Sequence, residues 1–152
     1  MIGFSGGEPL LFKDQLFALL ERVHAKRPDL KFHILTNAQH FESADIDRLR
    51  QEAFKSVRWG VPLYAPDPDL HDSIVGKQGA FERLQITLPR MARAGLQIEL
   101  RTVLLQQNFE HLRSLADFIS RRLPFISVWA IMQLERIGFA KNRWHEQFVD
   151  HS

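Results

Sequence analysis

A glycine-rich loop near the amino terminus has the residue types of a ligand-binding turn. Its sequence is Gly6-Gly7-Glu8-Pro9, and it follows a short apolar segment, residues 1–5. Paired glycines let a backbone approach a ligand closely, because they accept either sign of φ. Pro9 can open a helix, since it has no amide hydrogen to leave unpaired. Backbone carbonyls and the Glu8 carboxylate together predict a site for an ammonium group. The alternative is an ordinary glycine turn closed by proline.

Polar side chains also alternate with apolar ones in two later segments, near residues 100 and 130. A strand with one apolar and one polar face fits a barrel or half-barrel that has helices outside and a functional lumen inside. The central strands of an open doubly wound sheet are apolar on both faces. An edge strand with one wet face is a further alternative. Four residues are predicted to line the lumen, where they either contact a ligand or form a salt-bridged interior. These residues are Glu99, Arg101, Gln133 and Glu135.

The residue types give little support for a metal site or for a nucleophilic active site. The chain has no cysteine, which excludes disulfides, thiolate nucleophiles and cysteine-ligated clusters from these residues. Its seven histidines show no His-Glu-xx-His or comparable ligand spacing. Gly76-Lys77 is followed by Gln78, where a phosphate-binding loop needs serine or threonine. We therefore predict no metal site within this chain.

These residues must be positioned by elements that alternate between short apolar runs and helical patterns. That order predicts an α/β fold of parallel strands with right-handed crossovers, in one domain spanning residues 1–152. Ser43 and Asn108 are predicted to cap helices, and Gly95 to end one. The predicted strands are 1–5, 31–37, 57–63, 96–105 and 125–134, and the main helices are 11–26, a short one after Ser43, 80–94 and 109–122.

Composition narrows the function classes. At 152 residues the chain is too short for a complete eight-stranded α/β barrel of roughly 250 residues. Its formal charge of +2 is scattered along the chain, so nucleic-acid binding has little support. No apolar run approaches the roughly 18 residues of a membrane span, and residues 1–5 lack the features of a signal peptide. We expect a cytoplasmic protein.

The neighbourhood of the glycine loop resembles a known family. The segment from Gly3 to Leu11 resembles the second strand of radical S-adenosylmethionine (SAM) enzymes, in which the Gly-Gly-Glu-Pro motif binds the methionine amino group. Leu35-Thr36-Asn37-Ala38 resembles that family's strand ending in Thr-Asn-Gly. Further blocks follow in the family's order, among them His71-Asp72 and Gly79-Ala80-Phe81. The resemblance implies SAM as cofactor, with the cofactor-binding residues Gly6, Gly7, Glu8, Pro9 and Asn37.

Within that superfamily the chain resembles the His-Xaa-Ser system radical SAM maturase. The supporting blocks include Val61-Pro62-Leu63-Tyr64, Ile98-Glu99-Leu100-Arg101, and Leu134-Glu135 with Gly138-Phe139. The resemblance implies post-translational modification of a small peptide or protein that bears His-Xaa-Ser repeats, beside a second radical SAM maturase. It also implies that the lumen residues contact either the adenine end of the cofactor or the peptide substrate.

The chain departs from the family pattern in two ways. The family's Cys-xxx-Cys-xx-Cys loop, which binds a 4Fe-4S cluster, lies a few dozen residues before the glycine motif, and this chain has five residues there. We therefore expect an amino-terminally truncated partial barrel that lacks the first strand and the cluster loop and is inactive alone. A non-catalytic module that binds SAM or a peptide is the alternative. In addition, Val61-Pro62-Leu63 replaces a family Ser-Xaa-Asp-Gly, so no ribose contact is expected there.

Overall fold

The computed structural model describes residues 1–135 and residue 148. The strands are β1 (Ile2–Phe4), β2 (Phe32–Leu35), β3 (Val57–Pro62), β4 (Gln97–Leu104) and β5 (Val128–Gln133). The α-helices are α1 (Lys13–Lys26), α2 (Asp45–Leu49), α3 (Glu52–Lys55), α4 (Pro68–Val75), α5 (Ala80–Arg93) and α6 (Leu112–Arg122), and short 3₁₀ helices span Pro9–Phe12 and Phe109–His111.

The five strands form one parallel sheet in the order β1-β2-β3-β4-β5. Each strand pairs with the next one along the chain, so the connections always step in the same direction. A doubly wound sheet reverses its strand order at a switch point, whereas a (βα) barrel does not. The predicted α/β class and the partial barrel of parallel strands are thus confirmed.

The hydrophobic core lies between one face of this sheet and the helices. Trp59 of β3 is fully buried there. Phe41 packs against Trp59 edge-on with ring centroids 5.2 Å apart, and Phe17 of α1 packs against Phe54 with centroids 5.3 Å apart. Burying a side chain of this size contributes about 1.5–3 kcal/mol. The core therefore fixes which strand residues face the helices, and their alternate neighbours must face the other side.

Two predicted helix caps are wrong. Asn108 is fully buried, and its Oδ1 accepts a hydrogen bond from the Leu105 N–H (2.8 Å) while its Nδ2 donates to the Val103 carbonyl (3.0 Å). It thus ties the chain to the end of β4 instead of capping α6. Ser43 makes no side-chain cap to α2. Gly95 does end α5 as predicted, with φ at 77°.

Helix α4 (Pro68–Val75) was missed, since no helix was predicted between the strand 57–63 and the helix 80–94. The signal for it is present in the sequence. Asp67 accepts a hydrogen bond from the Leu70 N–H (2.9 Å), and Pro68 follows at the first helical position. An aspartate cap followed by proline is a common helix start, and Gly76, with φ at 69°, ends the helix.

Candidate cofactor site at the carboxyl edge of the sheet

Glu8 joins the glycine loop to the end of the neighbouring strand. Its Oε1 accepts hydrogen bonds from the Leu10 N–H (3.0 Å) and from the Thr36 hydroxyl (2.5 Å), and its Oε2 accepts one from the Asn37 N–H (2.7 Å). Glu8 therefore caps the 3₁₀ helix that starts at Pro9 and also holds the carboxyl end of β2. A carboxylate has about four lone-pair positions, so it keeps capacity for a further donor.

The two glycines of the loop have the backbone freedom that the sequence predicted. Gly6 has φ at 90° and Gly7 at 58°, the left-handed region that side chains disfavour. No heavy atom lies within 4 Å of the place where a Cβ would stand on either one. The loop is therefore an open cradle, and its backbone is accessible from the space beside it.

That space is a cavity of about 460 Å³ at the carboxyl edge of the sheet. Its volume lies within the roughly 300–1,000 Å³ of small-molecule sites. Open α/β folds and barrels place their ligand sites at this edge. The cavity is lined by Gly6, Gly7, Glu8, Leu35, Thr36, Asn37, Gly60, Pro62, Tyr64, Arg101, Val103 and Met132.

Arg101 crosses the sheet above Gly60 of the neighbouring strand. A Cβ on Gly60 would stand 2.9 Å from Arg101 Cδ and 2.7 Å from Leu35 Cδ2. The Arg101 guanidinium donates to Glu99 Oε1 (2.7 Å) and to the Met132 thioether (2.8 Å). Arg101 therefore places a fixed positive charge in the cavity wall, and its stem has room only because residue 60 is a glycine.

Glu99 is the centre of a charged cluster on the lumen face of the sheet. It is 5% exposed, and besides Arg101 it lies 3.5 Å from His33 Nε2 and 3.6 Å from Arg58 Nη1. Two guanidinium groups thus surround one buried carboxylate, as a salt-bridged interior requires. Glu99 and Arg101 lie on the lumen face as predicted, but Arg101 alone of the two lines the cavity.

The predicted lumen placement of Gln133 is wrong. Strand pairing sets Met132 beside Val103 and Gln133 beside Leu104. Paired residues of neighbouring strands point to the same face, so Met132 joins Arg101 in the lumen while Gln133 points to the helix side. Within β5 the side chains on both faces are mostly apolar, so the alternation near residue 130 indicated the wrong inward face. Glu135 lies beyond β5, is exposed and does not line the cavity. Gly138-Phe139 lies outside the described residues.

Sequence reasoning also missed Tyr64 as a cavity residue. Tyr64 lies two residues beyond the end of β3, and its N–H donates to Nδ1 of the buried His71 (3.2 Å). Burial raises the pKa of Tyr64, and the nearby Arg101 charge opposes that rise. Burial lowers the pKa of His71, and Asp72 opposes that. Ligand sites of (βα) barrels lie at the carboxyl ends of the strands, so the position of Tyr64 just after a strand was an available signal.

Residues 1–135 and 148 contain no group of three or more histidine, cysteine, aspartate or glutamate side chains that could hold a metal ion. No helix in the same residues is long and apolar enough to cross a membrane. The site therefore consists of a cavity with glycine, carboxylate, amide and guanidinium groups.

A family model described as the radical SAM superfamily matches residues 1–119. The chain belongs to the radical SAM superfamily. An uncharacterized protein of Archaeoglobus fulgidus is 28% identical over 120 residues, which are 79% of this chain and 27% of that protein. The chain thus spans about a quarter of the length of that relative.

Solved structures share the fold. SuiB of Streptococcus suis bound to SAM has a TM-score of 0.72 at 19% identity, and the match covers 99% of this chain and 32% of SuiB. The protein anSMEcpe, with bound SAM and the Kp18Cys peptide, has a TM-score of 0.71 at 14% identity, covering 90% of this chain and 38% of that one. This chain therefore shares its fold with these two SAM-bound proteins.

The two cofactors of the superfamily fit this chain unequally. SAM fits, because an open glycine cradle, a carboxylate with spare acceptor capacity and a fixed guanidinium surround a cavity of suitable volume. An iron–sulfur cluster does not fit these residues, because the chain has no cysteine and such clusters are held by cysteine thiolates.

Proposed function

We propose that this chain forms the SAM-binding part of a radical SAM maturase that modifies a small peptide or protein. The observation that carries the proposal is the cavity between the Gly6-Gly7-Glu8 cradle and Arg101 at the carboxyl edge of the parallel sheet. Membership of the superfamily and the fold shared with SAM-bound proteins support it.

The residues of the chain match the two charged ends of the amino acid part of SAM. Gly6 and Gly7 offer accessible backbone to its ammonium group, and Glu8 offers a carboxylate that Thr36 and Asn37 hold in place. Arg101, held by Glu99, offers a positive charge to an anionic group of the cofactor or of a peptide. When bound, SAM supplies a sulfonium centre for radical chemistry, and these side chains bind and orient it.

The cluster that drives such chemistry must come from residues other than these. We therefore propose that the cluster and the SAM cradle come from different segments. A segment or polypeptide with a Cys-xxx-Cys-xx-Cys loop supplies the cluster, and this chain supplies the SAM cradle. The proposed substrate is a small peptide or protein with His-Xaa-Ser repeats, and a second radical SAM maturase is the proposed partner.

Calorimetric titration with SAM tests the cradle, using two glycines of the same conformation. Gly7→Val and Gly76→Val introduce a side chain at φ values of 58° and 69°, in each case with no atom within 4 Å of the new Cβ. Both substitutions strain the backbone similarly, by roughly 1–2 kcal/mol, but only Gly7 lines the cavity. We expect Gly7→Val to weaken SAM binding at least tenfold, and Gly76→Val to leave the affinity unchanged. Absence of SAM binding by the wild-type chain, or equal binding by both variants, contradicts the proposal.

A non-catalytic module that binds SAM or a peptide is the second candidate, favoured by the absence of cysteine. The two candidates differ once the chain is combined with a reconstituted cluster-bearing polypeptide and the repeat peptide. A SAM-dependent change in the mass of the peptide, abolished by Gly7→Val, supports the maturase. SAM binding that persists without any mass change supports the binding module.

A further inference from the structure

Tyr64 is held at the cavity wall by contacts from two directions. From the sheet side, the preceding residue Leu63 donates its N–H to the Arg101 carbonyl (3.0 Å) and accepts a hydrogen bond from the Thr102 hydroxyl (2.6 Å). From the helix side, the Tyr64 N–H donates to Nδ1 of His71 in α4 (3.2 Å). Tyr64 lines the cavity, and among residues 1–135 no group hydrogen-bonds its hydroxyl.

The His71 ring is buried and lies beside two other aromatic rings. It is 1% exposed, and its ring lies 6.0 Å from the ring of Tyr64 and 5.8 Å from that of Phe81 at the start of α5. Because Nδ1 accepts the Tyr64 N–H, the imidazole must be neutral and carry its proton on Nε2. His71 thus provides the backbone of Tyr64 with a buried acceptor that water does not replace.

We propose that Tyr64 contacts the ligand of the cavity and that His71 is its positioning residue, whose neutral Nδ1 keeps Tyr64 in the cavity wall. The ligand contact rests on the proposed SAM function, whereas the positioning of Tyr64 does not. Tyr64 lies just after Val61-Pro62-Leu63, the segment from which no contact to the cofactor ribose was expected. Its phenol supplies a polar group at this edge.

Protonation of Nδ1 would replace the acceptor by a donor facing the Tyr64 N–H, and the hydrogen bond would be lost. The titratable and charged groups around His71 come from each neighbouring element. Asp72 of α4 favours the charged imidazole, but the N–H groups of Gly79 and Phe81 donate hydrogen bonds to its carboxylate. Lys77 lines a small cavity together with His71. The sheet side presents the Tyr64 phenol. Burial outweighs Asp72 and lowers the pKa of His71, so acidification releases Tyr64 only below the ordinary histidine range.

The chain has a single tyrosine, so ¹³C-labelled tyrosine gives a ring signal that reports Tyr64 alone. His71→Asn places an amide oxygen near the position of Nδ1 and cannot be protonated, whereas His71→Phe fills the space without an acceptor. At about pH 7.5 we expect the signal of His71→Asn to resemble that of the wild type and the signal of His71→Phe to be displaced. Lowering the pH below the ordinary histidine range should displace the wild-type signal and leave that of His71→Asn in place.

SAM titration provides the functional readout. We expect His71→Phe and Tyr64→Ala to weaken SAM binding about tenfold, a loss of the size of one hydrogen bond to the ligand, and His71→Asn to restore most of the affinity lost in His71→Phe. The wild type should lose affinity below the ordinary histidine range, while His71→Asn should not. Near-ultraviolet circular dichroism establishes that each variant is folded.

Three outcomes overturn the proposal. A Tyr64 signal in folded His71→Phe equal to the wild type refutes the positioning, and so does a pH response of His71→Asn equal to that of the wild type. The latter comparison stands even if His71→Phe fails to fold. SAM binding unchanged by Tyr64→Ala refutes the ligand contact. If the wild type does not bind SAM at all, yet the Tyr64 signal behaves as expected, the proposed function and the ligand contact fail and the positioning by His71 is supported.

Discussion

Gly60 is the residue of β3 over which the Arg101 side chain passes. The space a Cβ would need there is already taken by Leu35 Cδ2, Arg101 Cδ and His33 Nε2, at 2.7, 2.9 and 3.0 Å. The neighbouring Glu99 carboxylate holds the Arg101 guanidinium in this position. The absence of a side chain at Gly60 thus decides where the Arg101 guanidinium, the positive charge of the cavity, is placed.

We predict that Gly60→Ala destabilises the fold by about 1–3 kcal/mol, because three side chains must shift to admit one methyl group. SAM affinity should fall as well, since the displaced side chains include Arg101. Urea denaturation and calorimetry measure the two effects. Gly3→Ala is the matched control. Gly3 lies in β1 on the same face of the sheet as Gly60, and its Cβ would meet nothing nearer than the His33 carbonyl at 4.0 Å. Equal stabilities of the two variants would contradict this account of Gly60.

At the scale of elements, the connection from β4 to α6 depends on one buried amide. Asn108 satisfies the Leu105 N–H and the Val103 carbonyl at the point where the chain leaves the sheet. An unsatisfied buried polar group costs about 1–3 kcal/mol. The Asn108 side chain therefore supplies partners to backbone groups beside the cavity residue Val103.

We predict that Asn108→Ala destabilises the chain by about 2–4 kcal/mol, as two buried backbone groups lose their partner. Asn108→Asp keeps the acceptor for Leu105 but loses the donor to Val103, so it should not restore the full stability. Gln107→Ala, an exposed change in the same loop, is the control and should stay within about 0.5 kcal/mol of the wild type. Equal midpoints for Asn108→Ala and Gln107→Ala in thermal unfolding would show that the buried amide is not needed.

At the scale of the whole molecule, the β1 side of the sheet has an uncovered apolar surface. Within the described residues β1 pairs only with β2. Beside it runs a groove of about 320 Å³ lined by residues that include Phe4, Phe12 and Leu19. Phe12 is 67% exposed and Leu19 44%. Exposed apolar patches next to an open strand edge favour association.

We predict that the isolated chain associates in a concentration-dependent way through this groove, and that Phe12→Lys combined with Leu19→Lys reduces the association. Sedimentation velocity over a range of protein concentrations measures it. Ile86→Lys is the control, because Ile86 of α5 is 47% exposed but lies outside the groove. A wild-type chain that sediments as a monomer at every concentration would contradict the prediction.

Local patterns in the sequence predicted the elements and the composition of the cradle. Alternation of apolar residues indicated parallel strands with helices between them, and the paired glycines indicated a turn with positive φ, as Gly6 and Gly7 show. These features were predictable because backbone conformation depends mostly on a residue and its near neighbours. The lumen face of β4 was predictable for the same reason, since its two faces differ in polarity.

The tertiary structure alone decided which of these residues meet. Glu8 binds Thr36 across 28 residues of chain, and Arg101 meets Met132 across 31. The register between β4 and β5 placed Met132 in the lumen and turned Gln133 away. Such pairings depend on how distant strands align, which alternation within one strand does not specify. The sequence by itself determined a glycine cradle at the end of a strand, and the packing of five strands decided that Tyr64, Arg101 and Met132 share its cavity.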